Sequence, residues 1–290
     1  MFKVSLWGGM TCPNRDGTKG SGGCIYCNPA SNRPFISSGK DVKEQVAEGI
    51  LYARKRHRAG KLIAYFQHYS NTYGDISKLQ QLYNDAIAHP DIVGLAVSTR
   101  PDCMELGTWN LLKHLNTRTF LWLELGLQSA NDETLKLLNR GHTVKDFSDA
   151  VEAAHKHGIK VCAHIILGLP NETHADVMTT IKFIADHKVW GVKIHNLHVL
   201  KDTPLEKMYY VAQDFSPANK IKCLTLEEYA SLVVDCLEHL PKDVVIHRFN
   251  SHSPRELTVA PSWSVNKLAT LNAVHEKLTK RDSCQGKLIK

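Results

Sequence analysis

A chain of 290 residues with 43% hydrophobic and 22% charged residues has an ordinary globular composition, which excludes disorder over most of its length and leaves room for a large core. No run reaches the roughly 18–20 apolar residues that a membrane span needs, and the opening MFKVSLWGGMTCPNRDG has too short an apolar stretch for a secretory signal, so cytoplasmic residence is expected. Lys and Arg number 36 against 29 Asp and Glu, a balance compatible with a nucleic acid or a small anion that establishes neither.

In chain order, residues 3–6 read as a strand, followed by a long Gly-rich loop that carries three cysteines. Near-helical spacing of Val42, Val46, Ile50 and Leu51 predicts a helix over 41–58. A strand over 62–66, a helix over 77–88 opened by Ser77, and a strand over 92–97 come next. Residues 106–115 read as helix, 120–125 as strand, and 131–138 and 144–157 as helices. Gly158 stops the chain before a strand over 160–167, with a helix over 173–187 and a strand over 192–200 beyond it. Six strands, each followed by helix-competent sequence, predict parallel βαβ units, but periodicity does not choose between an open doubly wound sheet and a barrel. The last third reads as a helix over 225–240, a short strand at 244–246 and a helix over 264–279, completing or flanking the same domain. In either parallel architecture functional groups gather at the carboxyl ends of the strands, where the cysteine loop would sit.

Of the eight cysteines, Cys12, Cys24 and Cys27 fall together, while Cys103, Cys162, Cys223, Cys236 and Cys284 are scattered. That distribution is not a disulfide scaffold; it points to metal ligation or redox chemistry. Cys24 and Cys27 form a CxxC, and four glycines between Cys12 and Cys24 let the loop wrap round a cofactor. Tyr26, between the two ligands, is placed to lay its ring against an adenine. A structural zinc normally needs four protein ligands; His57 and His68 are candidates for the fourth, though neither has diagnostic spacing. Three cysteines on a cubane iron–sulfur cluster would leave one iron open. Spacing alone leaves zinc and iron–sulfur level.

The segment CPNRDGT followed by GGCIYC, with the sequence after it, resembles the radical S-adenosylmethionine (radical SAM) superfamily, most closely a bacterial family related to the elongator catalytic subunit. The resemblance covers residues 1–265. It implies an α/β fold, a partial (β/α)6 barrel over residues 1–222 with C-terminal flanking helices over 223–290. It further implies that Cys12, Cys24 and Cys27 bind a [4Fe–4S] cluster whose open iron chelates S-adenosylmethionine. An electron donor such as flavodoxin or ferredoxin would reduce the cluster, and cleavage of the sulfonium would give a 5′-deoxyadenosyl radical that attacks the substrate. Relatives often carry a further stretch before the first strand, so the chain is expected to begin slightly short. Relatives act on the tRNA wobble position, which makes a tRNA nucleoside the expected substrate, with residues 54–58 (Arg-Lys-Arg-His-Arg) as possible phosphate contacts; a small molecule stays open.

Other positions carry weaker signals. Gln67, Asn71 and Thr72 stand where radical SAM proteins place a Gly-Gly-Glu-like turn for the methionyl amino group; this chain departs from that pattern. Arg100 suits a carboxylate or phosphate with its planar fork, although Pro101 and Asp102 equally suit a plain turn. Cys103 is a candidate for a catalytic thiol, donating hydrogen or carrying an adduct, or else a packing residue. Glu124 and Gln128 share a strand face with Gly126, and the resemblance assigns them to the cofactor's ribose; a nearby Lys or Arg would also satisfy Glu124. Gly168 and Leu169, in ILGLPNET, look like the turn that meets the adenine. His164, His195 and His198 read as core histidines or proton donors, and Trp263, Arg248 and Arg255 as a possible substrate mouth. A zinc-stabilised nucleic-acid-binding protein without catalysis is the reading from another class; a third is a barrel whose radical site has decayed.

Overall fold

In chain order the elements are β1 (Phe2–Leu6), α1 (Val42–His57), β2 (Leu62–Phe66), α2 (Ile76–Ile87), β3 (Ile92–Thr99), α3 (Leu106–Asn116), β4 (Phe120–Gln128), α4 (Asp132–Leu137), α5 (Val144–Lys156) and β5 (Lys160–Leu167). There follow α6 (His174–Asp186), β6 (Gly191–Asn196), β7 (Val199–Leu200), α7 (Pro204–Asp214), α8 (Leu226–Glu238), β8 (Val245–Arg248), β9 (Thr258–Ala260) and α9 (Lys267–Lys280). The computed structural model describes residues 2–32, 39–214, 221–251 and 253–289. The main sheet has the order β1-β2-β3-β4-β5-β6-β8, sequential as successive βαβ units require, so the expected α/β class holds and β8 adds a seventh strand. Residues 1–21, 33–126 and 145–162 form one unit, and residues 22–32, 127–144 and 163–290 a second. No helix of the described residues is long and apolar enough to cross a membrane.

In the first unit β1 to β4 pair in parallel, with Leu6 beside Phe66, Phe66 beside Val97 and Ser98 beside Glu124. All five residues of β2 are buried, the signature of a strand covered on both faces. Helix α1 opens on a capping box between Asp41 and Glu44 and buries Val42, Val46, Ile50 and Ala53. It crosses β1 so closely that a Cβ on Gly49 would stand 2.1 Å from Val4 Cγ1. Helix α2 begins one residue earlier than expected: Asp75, not Ser77, is its cap, taking the N–H groups of Ser77 and Lys78, because a carboxylate two residues upstream outcompetes the serine.

In the second unit β8 pairs in parallel with β6, Lys193 beside Arg248. The single strand expected over 192–200 is two. Asn196 accepts the N–H of Ser251 at 3.3 Å and its hydroxyl at 2.8 Å, and the N–H of Leu197 turns to the Leu167 carbonyl. The ladder stops there, and β7 pairs antiparallel with β9. Helix α7 was not expected from the sequence. The last helix, expected from residue 264, starts at Lys267 under an Asn266 cap. Beyond α9 the chain folds back on α8: Gln285 donates to the carbonyls of Pro241 and Val244, and the N–H groups of Gly286 and Leu288 donate to the carbonyls of Leu237 and Glu238 at the end of α8.

Candidate active site

The first half of the cysteine loop leaves the carboxyl end of β1. The Cys12 carbonyl accepts the N–H groups of Arg15 (2.7 Å) and Asp16 (3.1 Å), and that of Pro13 those of Lys19 and Gly20. Glycine at 20 leaves room for Asn14, whose Oδ1 would lie 2.2 Å from a Cβ there. Asp16 accepts from the hydroxyls of Thr11 (2.8 Å) and Thr18 (2.6 Å), and the Thr18 bonds hold its carboxyl below the usual carboxylate range. Lys19 reaches Asp102 Oδ2 at 3.2 Å, pinning the loop to the segment after β3.

The second half, with Cys24 and Cys27, is held by the segment that follows α4. The N–H of Ile25 donates to the Leu138 carbonyl at 3.0 Å and Asn139 Nδ2 to the Gly23 carbonyl at 2.8 Å. Buried Arg140 aims Nη1 at the Cys24 sulfur, 3.6 Å away. The N–H of Cys27 donates to the Cys24 carbonyl, closing the CxxC turn. Ile25 and the ring of Tyr26 join a core cluster with Leu138, Ile166, Leu169 and Leu205. Burial, then the Cys24 charge, pushes the Tyr26 hydroxyl well above its ordinary value, with Arg140 opposing. All eight cysteines are thiols without a disulfide. Among the described residues no three His, Cys, Asp or Glu side chains are placed to share one metal ion.

At the carboxyl ends of β2 and β3, Asn71 works as a brace. Its Nδ2 donates to the carbonyls of Phe66 (3.2 Å) and Ser98 (2.8 Å), while its Oδ1 is buried with no hydrogen-bond partner. The Thr72 hydroxyl meets that of Thr99 and the Cys103 carbonyl, each at 2.6 Å. Gln67 accepts from Ser5 at 3.4 Å. Arg100 is buried and gives its fork to Asp102, Nε to Oδ1 at 2.9 Å and Nη2 to Oδ2 at 3.0 Å. Burial, then the Asp102 charge, pushes the Cys103 thiol up to about 11. Cys103, Thr72, Lys19 and Asp102 line a cavity of about 930 Å³, walled also by Gly8–Thr11 and the start of α2.

Glu124 is buried at 1% exposure. It accepts from Tyr65 (2.6 Å), Ser98 (3.0 Å) and Trp122 (3.1 Å) and pairs with Lys3 at 3.3 Å. Lys3 is the basic partner that the sequence left open beside the ribose. Gln128 ends β4 at a φ of 73°, a strained conformation for a non-glycine residue. Gly168 takes a φ of +82°, which only glycine adopts without cost, and Leu169 is buried in the same core as Ile25.

The remaining candidates are scattered. His57 stacks on Phe2 with centroids 4.6 Å apart, and His68 lies edge-on to Tyr69. Trp263 donates to the Leu224 carbonyl and packs on Tyr229. Residues 54–58 close α1, which leads to the amino end of β2, whereas Cys12 follows the carboxyl end of β1. In this parallel unit those are opposite ends. Sequence reasoning missed Asn139 and Arg140; their only local sign is an Asn-Arg-Gly run that reads as a helix stop.

The Radical SAM superfamily model matches residues 15–184 and the Radical SAM C-terminal domain model residues 189–280. YtqA of Bacillus subtilis is 40% identical over 100% of this chain and 88% of its own length. A tRNA uridine(34) acetyltransferase of Methanocaldococcus infernus is 30% identical over 62% of this chain and 32% of itself. The archaeal Elp3 structure from the same organism superposes with a TM-score of 0.72 at 22% identity, covering 97% of this chain. The chain spans 63% of that structure, so the likeness is one of fold. With a superfamily model matched across more than half its length, the chain belongs to the radical SAM superfamily, and a [4Fe–4S] cluster and S-adenosylmethionine are its cofactors.

Proposed function

We propose that this radical SAM enzyme modifies a nucleoside of tRNA, with Cys12, Cys24 and Cys27 holding the cluster. The observation that carries the substrate half is the 30% identity to a tRNA uridine(34) acetyltransferase; the net charge of +7 agrees with a polyanionic partner. When bound, the cluster supplies the electron that cleaves S-adenosylmethionine to methionine and a 5′-deoxyadenosyl radical. The chain's own groups suit that chemistry. Arg140 beside Cys24 favours the thiolate that ligates metal. Asn71 Oδ1 is a buried acceptor without a donor, which fits the methionyl ammonium. Tyr26, Gly168 and Leu169 gather in the second unit, where a ring, a bare backbone and an apolar side chain suit an adenine. Cys103 keeps its hydrogen at neutral pH, the form that hands a hydrogen atom to a substrate radical. The resulting thiyl is then reduced by the same flavodoxin- or ferredoxin-type donor that serves the cluster.

The test compares nucleosides of tRNA from deletion and parent strains by mass spectrometry. One modified nucleoside should vanish and return with the chain but not with Cys24→Ala. An unchanged set sinks the tRNA half, and absence of 5′-deoxyadenosine from dithionite-reduced, anaerobic protein sinks the radical half. A specific observation favours a second reading: Asp16, Asp75, Asp102 and Glu105 outnumber Lys19 and Lys78 around the cavity, which suits a small cationic substrate. In that case the nucleoside set stays unchanged while 5′-deoxyadenosine still forms.

A further inference from the structure

In the first unit the loops that lead into β2, β3, β4 and β5 carry a concentration of positive charge that the proposed chemistry does not use. Residues 54–61, 88–91, 113–119 and 155–160 hold nine Lys and Arg and five His against one carboxylate, Asp91, a surplus larger than the net charge of +7 on the whole chain. The loops meet at one end of the sheet. Strands β1 to β4 run parallel, so their leading loops gather at the amino ends. Asp91 joins the first two loops through Arg54 and Lys61. Arg118 reaches Asn84, in the last turn of α2, at 2.6 Å, and Asn116 donates to the Gly158 carbonyl at 3.0 Å. Lys160, which opens β5, lies over the ring of Phe120, which opens β4, 5.8 Å from its centroid.

Cations at helix ends offset the helix dipole, but that accounts for only part of the charge. Helices α2, α6 and α8 have no basic residue in their last turn, whereas α1 has four. Arg58, Lys61, Arg118 and Lys160 lie past the last helical turns. Lys55, Arg56, Arg58, Lys113 and Lys156 are exposed and make no ion pair among the described residues. Like charges crowded on one surface repel each other, and a polyanion relieves the repulsion. Open rings lie among them: Tyr52 is 45% exposed and Phe120 44%, flat faces of the kind on which unpaired bases stack.

The opposite end of the same unit has the opposite sign. Around its cavity Asp16, Asp75, Asp102 and Glu105 outnumber Lys19 and Lys78, so a phosphate backbone is repelled there and drawn to the amino end. The eight residues of β3 span roughly 26 Å, less than one helical turn of a duplex. One folded RNA can therefore touch the amino end and still offer a nucleoside at the other.

We propose that this amino-end surface of the first unit binds the phosphate backbone of an RNA, with Lys55, Arg56, Arg58, Lys113 and Lys156 as phosphate contacts. The proposal rests on the tRNA reading above and deepens it by placing the grip on the polyanion away from the chemistry. Such contacts position an RNA and carry no sequence information of their own.

The experiment measures binding of anaerobically reconstituted protein to fluorescently labelled tRNA from the deletion strain over a series of salt concentrations. Lys55→Gln/Arg56→Gln/Arg58→Asn should weaken binding at least about tenfold at about 0.1 M salt and flatten the slope of log Kd against log salt by about two. Asparagine is chosen at 58 because that backbone is left-handed, with a φ of 49°. Adding Lys113→Gln and Lys156→Gln, from neighbouring loops, should weaken binding further. Lys182→Gln/Lys188→Gln/Lys207→Gln removes the same charge from exposed positions of the second unit and should leave the affinity within about twofold. Equal losses in the two triple variants would mean that net charge alone acts, and would overturn the surface. A parent that does not bind, or a first triple variant with the parent's slope, overturns it too. So does poly-glutamate that displaces the labelled tRNA as well as unlabelled tRNA does, which would reassign the surface to an acidic protein. Nucleosides are compared in the same strains. A set unchanged by the deletion removes the tRNA-modification reading while the binding series still decides the surface; a lost nucleoside with unaffected variant binding removes the surface alone.

Discussion

With Cys24 proposed as a cluster ligand, Arg140 would do for it what an outer-shell partner does for any soft-metal ligand. A buried guanidinium 3.6 Å from sulfur stabilises the thiolate and fixes its direction. Removing such a partner typically costs about 10–100-fold in metal affinity. Arg140→Ala should therefore surrender iron to a chelator about tenfold faster than the parent, with Arg140→Lys in between; equal rates would leave Arg140 a packing residue. Glu124 poses the opposite problem, a carboxylate already saturated by four donors. Glu124→Ala leaves Tyr65, Ser98, Trp122 and Lys3 without their acceptor and should cost about 3 kcal/mol in urea unfolding, a figure tempered by the partial exposure of Lys3. Were ribose binding its main duty, stability would hold and only the affinity for S-adenosylmethionine would fall. The sequence shows that a carboxylate in FLWLELG must find a partner. It cannot show that the partner comes from residue 3, because nothing local links positions 121 residues apart. A separation of 116 residues likewise hides Arg140 from any reading of the cysteine loop.

At the scale of elements, the helix–strand alternation is legible wherever a cap or an apolar period is local. Asp41 and Glu44 form their capping box, as do Thr225 and Glu228. Helix α7 was missed although its signals are local: Thr203 with Pro204 and Glu206 carries a Thr cap, a proline at the first helical position and an early acid, and the Thr203 hydroxyl accepts the Glu206 N–H. The break between β6 and β7 was not legible, because it depends on Ser251, 55 residues on from Asn196. Close packing of α1 on β1 is likewise a tertiary fact. A Cβ at Gly49 would meet Val4 at 2.1 Å, so Gly49→Ala should destabilise by about 1–2 kcal/mol despite alanine's better helix propensity. Val4→Ala placed beside it should recover most of that loss, measured as coupling in a double-mutant cycle. Additive effects would mean that α1 yields without resistance.

For the whole molecule, the question is whether the metal builds the fold or only works on it. Each unit has apolar side chains enough of its own: Leu6, Leu62, Phe66, Leu79 and Leu95 are buried in one, and Val192, Ile194, Tyr229 and Val233 in the other. Of the three proposed ligands only Cys24 is buried, and the loop that carries Cys12 is tied down by its own backbone bonds and by Lys19. A structural zinc in a small domain contributes most of the folding free energy, and chelation unfolds it. On the catalytic reading a bound cluster would add only what mass action supplies. Iron-depleted protein should therefore keep a cooperative thermal transition and its far-ultraviolet circular dichroism, with a midpoint only a few degrees below that of the loaded form. The shift should disappear in Cys24→Ala, which has no cluster to lose. Collapse of the transition on chelation would instead mark a metal that holds the architecture together, as the zinc reading requires, and would move the three cysteines from catalysis to construction.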